Sequence, residues 1–192
     1  MSATLSTMLE LGTTAPFFEL PDTEGNLISL DDIHAEKGLL IMFICNHCPY
    51  VIHLNEALVD FANEYSEQGI ECIAISSNDI ESYPQDSPKF MKELSDKYQF
   101  PYPYLFDESQ EVAKAYKAAC TPDFFLFNND LKLVYRGQFD DSRPGNGKPV
   151  TGKDMRNAAD TLIKSKETVE PQIPSMGCNI KWKDGNEPNY FK

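Results

Sequence analysis

An α/β fold around a central mixed sheet is what this sequence predicts, on three observations. A continuous apolar run, Leu39 to Cys45, is joined by one amphipathic stripe to a second apolar run, Ile70 to Ser76. Two short strand-like runs then follow close together, Phe124 to Phe127 and Leu131 to Tyr135. With 192 residues, 41% apolar and 11% aromatic, the chain can fill one core and is too apolar for disorder.

Each element has its own reason. Ala15 to Leu20 and Leu27 to Leu30 flank Asp22-Thr23-Glu24-Gly25, which reads as an N-terminal β-hairpin turning on a glycine. Leu39 to Ile44 is apolar at every position, so it is a strand buried on both faces. Pro49 suits the first turn of a helix, where its missing N–H costs nothing. Val51, Leu54, Leu58, Phe61 and Tyr65 recur at steps of three and four, laying one apolar stripe along that helix. The next strand, Ile70 to Ser76, then pairs in parallel through a right-handed crossover.

Further along, Ser87-Pro88 caps and opens a helix bearing Phe90, Met91, Leu94 and Tyr98. A short helix carries Val112, Ala115, Tyr116 and Ala119, and Asn128-Asn129-Asp130 turns a hairpin between the last two strands. The stretch 140–152 holds three glycines and two prolines without apolar period, hence a loop. Thr151-Gly152-Lys153-Asp154 reads as a capping box for a last helix with Met155, Ala159 and Leu162. The domain is expected to end near residue 170. Residues 171–192 read as a C-terminal tail docked by Ile180 and Trp182.

Charge excludes some functions. Seventeen basic against thirty acidic residues leave −13 at pH 7, a field that repels phosphate backbones and anionic lipid. Nucleic acid and membrane surfaces are therefore not expected partners. The longest apolar run is seven residues, against the about 20 a spanning helix needs. The first eleven residues lack the basic and apolar regions of a secretory signal. Five cysteines, two of them as Cys45-x-x-Cys48, fit a reducing cytosol with one redox pair better than a secreted disulfide scaffold. A cytoplasmic protein is the expectation.

The chemistry points to that pair. Cys45 ends a buried strand and Cys48 opens the next helix, where free N–H groups and the helix dipole favour a thiolate. The same argument puts the reactive thiolate on Cys45. His47, between the cysteines, is placed to favour it further. Two intervening residues on a helical turn bring the sulfurs within disulfide reach. Zinc held by Cys45, Cys48 and His53 is one alternative, though a second Cys/His pair at ligand spacing is missing. A buried inert pair is another. Haem attachment is excluded, because Pro49 and not His follows Cys48.

Phe43-Ile44-Cys45-Asn46-His47-Cys48-Pro49-Tyr50-Val51, after an Ala-Pro-x-Phe-x-Leu opening, resembles the thioredoxin-like superfamily. More closely, it resembles the peroxiredoxin-like branch of the AhpC/TSA (redoxin) group. Ala119 to Leu126, Tyr135 to Gly145 and the string Gly177-Cys178-Asn179-Ile180-Lys181-Trp182-Lys183 carry the likeness along most of the chain. The resemblance implies a thioredoxin-like fold and a thiol–disulfide oxidoreductase acting on protein or low-molecular-weight thiols and disulfides, with antioxidant activity and no cofactor. Cys45, His47, Cys48, Thr121 and Pro122 are its implied catalytic residues. Pro122 matches a proline usually cis in this fold, and the Thr121 backbone beside it would be free for strand addition by a partner.

Two alternatives stay open. Peroxiredoxins place a hydroxyl three residues before the reactive cysteine and a proline four before that, where this chain has Met42 and Gly38. A thiol peroxidase would use Cys45 as peroxidatic cysteine and Cys48 or Cys178 to resolve the sulfenic acid. Arg136 or Arg143 would then stabilise the oxyanion, unless they simply pair with Asp140 or Asp141. A non-enzymatic binding module on the same fold is the other alternative. Cys120, two residues before Pro122, and Cys178 are accessory candidates. Cys72, in a buried strand, reads as inert core.

Overall fold

The computed structural model describes residues 3–165 and 168–191. Its centre is a five-stranded mixed sheet ordered β6-β5-β4-β8-β9. Strand β4 (Gly38–Phe43) runs parallel to β5 (Ile70–Ser76), and β5 parallel to β6 (Tyr104–Phe106). On the other side β4 pairs antiparallel with β8 (Asp123–Asn128), and β8 with β9 (Leu133–Arg136). The N-terminal hairpin forms from β2 (Glu19–Pro21) and β3 (Leu27–Ser29).

The apolar run at β4 divides by the two-residue period of a strand. Leu40 and Met42 join a core with Leu58, Phe61, Met91 and Leu162 on one face. Leu39, Ile41 and Phe43 join Tyr116, Phe125, Phe127 and Ile180 on the other. The helices behind these faces are α1 (Pro49–Ile52), α2 (Asn55–Ser66), α3 (Pro88–Tyr98), α4 (Glu111–Ala115) and α5 (Lys153–Ser165).

Several expectations are adjusted. The single helix expected from Pro49 to Tyr65 is interrupted at His53-Leu54, where Leu54 N–H turns to the nearer Val51 carbonyl at 2.8 Å. The five stripe residues are nevertheless all buried, because this tightening leaves the apolar face continuous. The helix expected up to Ala119 stops at Ala115, and Lys117 follows with a φ of 51°. The start of α5 is tied down by Asp140, whose carboxylate accepts from Thr151 and Gly152 N–H at 2.6 Å each, rather than by a Thr-to-Asp box.

The largest adjustment lies at the C-terminus. Residues 176–179, inside the stretch read as a tail, form strand β10 (Met176–Asn179). It lies between β1 (Ala3–Leu5) and β7 (Cys120–Thr121) in a second, three-stranded sheet. Ile180 and Trp182 then bury themselves in the core behind it.

Candidate active site

Cys45 leaves the end of β4, and Cys48 is the capping residue of α1. The turn before β8 closes over both through a cis Thr121–Pro122 peptide bond. Thr121 holds each sulfur with a different group. Its carbonyl oxygen lies 3.0 Å from Cys48 Sγ, and its Oγ1 lies 3.4 Å from Cys45 Sγ. Both sulfurs are nearly inaccessible, with Cys45 only 1% exposed.

The two thiols share a proton. The hydrogen bond to Cys48, burial and the nearby Asp86 carboxylate push the Cys45 thiol well up. The same hydrogen bond pulls Cys48 down to about 5 against its own burial, helped by Cys178 and Thr121. The charge of the reduced pair thus belongs to the two sulfurs together. Cys48 caps the helix without a side-chain hydrogen bond to it, and the Asp86 carboxylate acts on Cys45. The contacts suit a proton on Cys48. Cys48–H then donates to the Thr121 carbonyl, and the Thr121 hydroxyl can donate to a Cys45 thiolate.

His47 is fixed from a distance in sequence. Its Nδ1 lies 2.6 Å from Asp86 Oδ2, and its ring stacks on Tyr83 with centroids 5.4 Å apart and planes 5° apart. Asp86 is fully buried and also accepts from Asn46 N–H (2.9 Å), His47 N–H (3.3 Å) and Asn78 Nδ2 (2.8 Å). A carboxylate only accepts, so Nδ1 carries the proton and Nε2 holds the lone pair. That Nε2 is buried with no hydrogen-bond partner among the described residues. Sequence reasoning missed Asp86, whose one trace is its place just before the Ser87-Pro88 helix signal.

Ligand atoms of Cys45, His47 and Asp86 lie within 4.8 Å of one another, a sulfur, nitrogen and oxygen set. Asp86 already accepts four hydrogen bonds, so the cluster is built as a proton network. His53, weighed as a zinc ligand, is turned to Ser142 Oγ at 3.1 Å.

The remaining candidates separate cleanly. Arg136 is tied by Nε to the Leu9 carbonyl at 2.8 Å and by Nη1 to Gln172. Arg143 donates to the Asp140 and Ser142 carbonyls at 2.6 Å each and to Gln138. Neither is held against Cys45, nor paired with the Asp140 or Asp141 carboxylate; Asp141 instead pairs with Lys148 and Lys153. Cys120 is fully buried, with its thiol 3.4 Å from the Pro122 carbonyl and pushed well up by burial. Cys178 does reach the site, packing in one buried cluster with Cys45 and Cys48. The free Thr121 edge expected for strand addition is not free: β10 occupies it, with Cys178 opposite Thr121 and Asn179 opposite Cys120.

Comparison with known proteins gives a family and a fold. The AhpC/TSA family model matches residues 11–136. The thiol-disulfide oxidoreductase ResA of Bacillus thuringiensis subsp. konkukian is 27% identical over 126 residues, covering 66% of this chain and 68% of ResA. The crystal structure of a conserved protein from Geobacillus kaustophilus is 53% identical, with a TM-score of 0.93 over 95% of this chain and 97% of that one. The thioredoxin domain of a thiol-disulfide oxidoreductase from Bacteroides vulgatus, 19% identical, shares the fold with a TM-score of 0.63, covering 81% of this chain and 99% of that one.

Proposed function

This chain belongs to the AhpC/TSA family, and from that premise we infer that it is a thiol–disulfide oxidoreductase working through Cys45 and Cys48. The observation that carries the residue assignment is Thr121, which holds a hydroxyl against one sulfur and a carbonyl against the other. Once the shared proton moves to Cys48, the Cys45 thiolate attacks one sulfur of a partner disulfide. A mixed disulfide forms and the partner's first sulfur leaves as a thiolate, with solvent supplying its proton. Cys48 then gives up its proton and attacks Cys45 Sγ. The Cys45–Cys48 disulfide forms, the partner leaves fully reduced, and the two electrons have come from the pair.

His47 acts as proton carrier and Asp86 as the positioning residue that fixes its tautomer. Partners are protein or low-molecular-weight disulfides. Deep burial of Cys45 favours small or locally unfolded ones. A reducing cytosol is the proposed location, resting on the cysteine count. Exchange is favoured over peroxide reduction because Met42 supplies no hydroxyl and Arg136 and Arg143 are engaged elsewhere.

Trapping tests this reading. Cys48→Ser should accumulate a covalent adduct on Cys45 with a small disulfide such as oxidised glutathione, and Cys45→Ser should lose turnover at least about a hundredfold. Retained turnover in Cys45→Ser, with no adduct in Cys48→Ser, would sink it. The exchange rate should also fall as pH drops through about 5, because protonating Cys48 removes the charge that the pair passes to Cys45.

A further inference from the structure

Three cysteines, not two, converge beneath the cis turn. In the β10–β7 ladder Cys178 stands opposite Thr121, and directly opposed residues point to the same face of a sheet. On that face the Thr121 hydroxyl lies against Cys45, while the Thr121 backbone carbonyl holds Cys48. Cys45, Cys48 and Cys178 pack in one buried cluster, and Cys48 and Cys178 each shift the other's acidity. Cys120, one position along, belongs to the opposite face and turns to the Pro122 carbonyl.

The backbone is shaped for this approach. A Cβ on Gly177 would come within 1.9 Å of the Thr121 carbonyl oxygen, so only glycine lets β10 lie this close to the turn. Cys178 is 4% exposed and Cys48 wholly buried, so a bond between them would be shielded from solvent thiols.

We propose that Cys178 is a third exchange sulfur, which takes the disulfide from the Cys45–Cys48 pair to give Cys48–Cys178 and frees Cys45. The proposal rests on the exchange reading for the first disulfide, which a partner disulfide supplies. In the step itself, the Cys178 thiolate attacks Cys48 Sγ. The Cys48–Cys178 bond forms, the Cys45–Cys48 bond breaks, and the electron pair leaves on Cys45, which takes up the proton Cys178 has lost. Nothing is oxidised or reduced overall.

In the reduced protein Cys178 is held up to about 12 by burial and by the charged Cys48 beside it. Once Cys48 is in a disulfide its charge is gone, leaving burial opposed by the Lys181 ammonium. The oxidised state is thus the one in which Cys178 ionises more readily. The result is one disulfide's two oxidising equivalents stored inside the fold, with Cys45 again a thiol.

The test maps disulfides with time. Full-length reduced protein is treated with one equivalent of dithiodipyridine, quenched in acid, alkylated and digested for mass spectrometry. Cys45–Cys48 should form first and Cys48–Cys178 then grow over minutes to hours. Its final share should be roughly a tenth or more, since a tenfold bias is only ~1.4 kcal/mol. Cys178→Ala should stop at Cys45–Cys48, and Cys45→Ser should form Cys48–Cys178 directly. A wild-type map that keeps Cys45–Cys48 for a day with Cys178 fully alkylated overturns the proposal, whatever the variants do. A map with neither disulfide overturns the exchange reading instead.

Discussion

Two buried carboxylates flank the redox pair, and they are built in opposite ways. Asp86, in the turn after β5, is fully buried yet accepts four hydrogen bonds: two from backbone N–H groups, one from His47 and one from Asn78. Asp123, opening β8 just past the cis turn, is equally buried. One of its oxygens accepts from Ala119 N–H at 3.2 Å, and the other has no hydrogen-bond partner among the described residues. Burial accordingly pushes Asp123 up to about 7. The same side chain at the same depth is held by four donors in one place and left with an unpartnered oxygen in the other. The first is a tool for positioning a base, the second a cost in stability.

That contrast is sharpest at Asp86. Asp86→Asn places an amide, with one oxygen and two N–H donors, among four donors. We expect kcat/KM to fall about ten- to a hundredfold as His47 loses its fixed tautomer. A merely structural role would lower Tm and spare the chemistry. The decisive readout is therefore the pH profile, in which Asp86→Asn and His47→Asn should lose the same ionisation and the double variant should lose little more than either. An unchanged profile with a lowered Tm would break the comparison.

Asp123 should respond in stability rather than rate. Its folded carboxyl is raised from 3.8 to about 7, so the unfolded chain releases that proton at lower pH than the folded one. The penalty is absent below about pH 4, grows as pH rises to about 7, and is constant above. Asp123→Asn removes it while keeping an acceptor for Ala119. Its gain over wild type should grow across that window to roughly 2–4 kcal/mol. Denaturant titrations at pH 4 and pH 8 check this, and an equal gain at both would mean that packing, not ionisation, sets the effect.

The two carboxylates also mark how far the sequence could be read. Features encoded locally were legible: the all-apolar β4, the crossover to β5, the cysteine spacing and the Thr121-Pro122 turn each lie within one short window. Asp86 was not, because its role comes from donors 8, 39 and 40 positions away. Strand β10 was not, because Met-Gly-Cys-Asn has no apolar alternation and its glycine argues against a strand. Its pairing depends on β1 at the opposite end of the chain and on β7 more than fifty residues earlier. Missing β10 meant leaving the Thr121 edge open and Cys178 in a tail, when both belong to one ladder.

The smallest effect belongs to a sulfur outside the site. Cys72 lies in β5 opposite Leu40, two strands from the cis turn, with 6% exposure and a thiol that burial pushes far up. It is as buried as Cys178 and lacks only company: Cys178 lies against Cys48, while the groups that perturb Cys72 are burial and Glu71. If proximity within the ladder is what makes a cysteine reactive here, Cys72→Ala should cost about 1 kcal/mol of packing. The disulfide map and exchange rate should stay at wild-type values. A changed map in Cys72→Ala would show that sulfur reactivity in this core does not follow the β7–β10 geometry, and the distinction between a site sulfur and a core sulfur would fall with it.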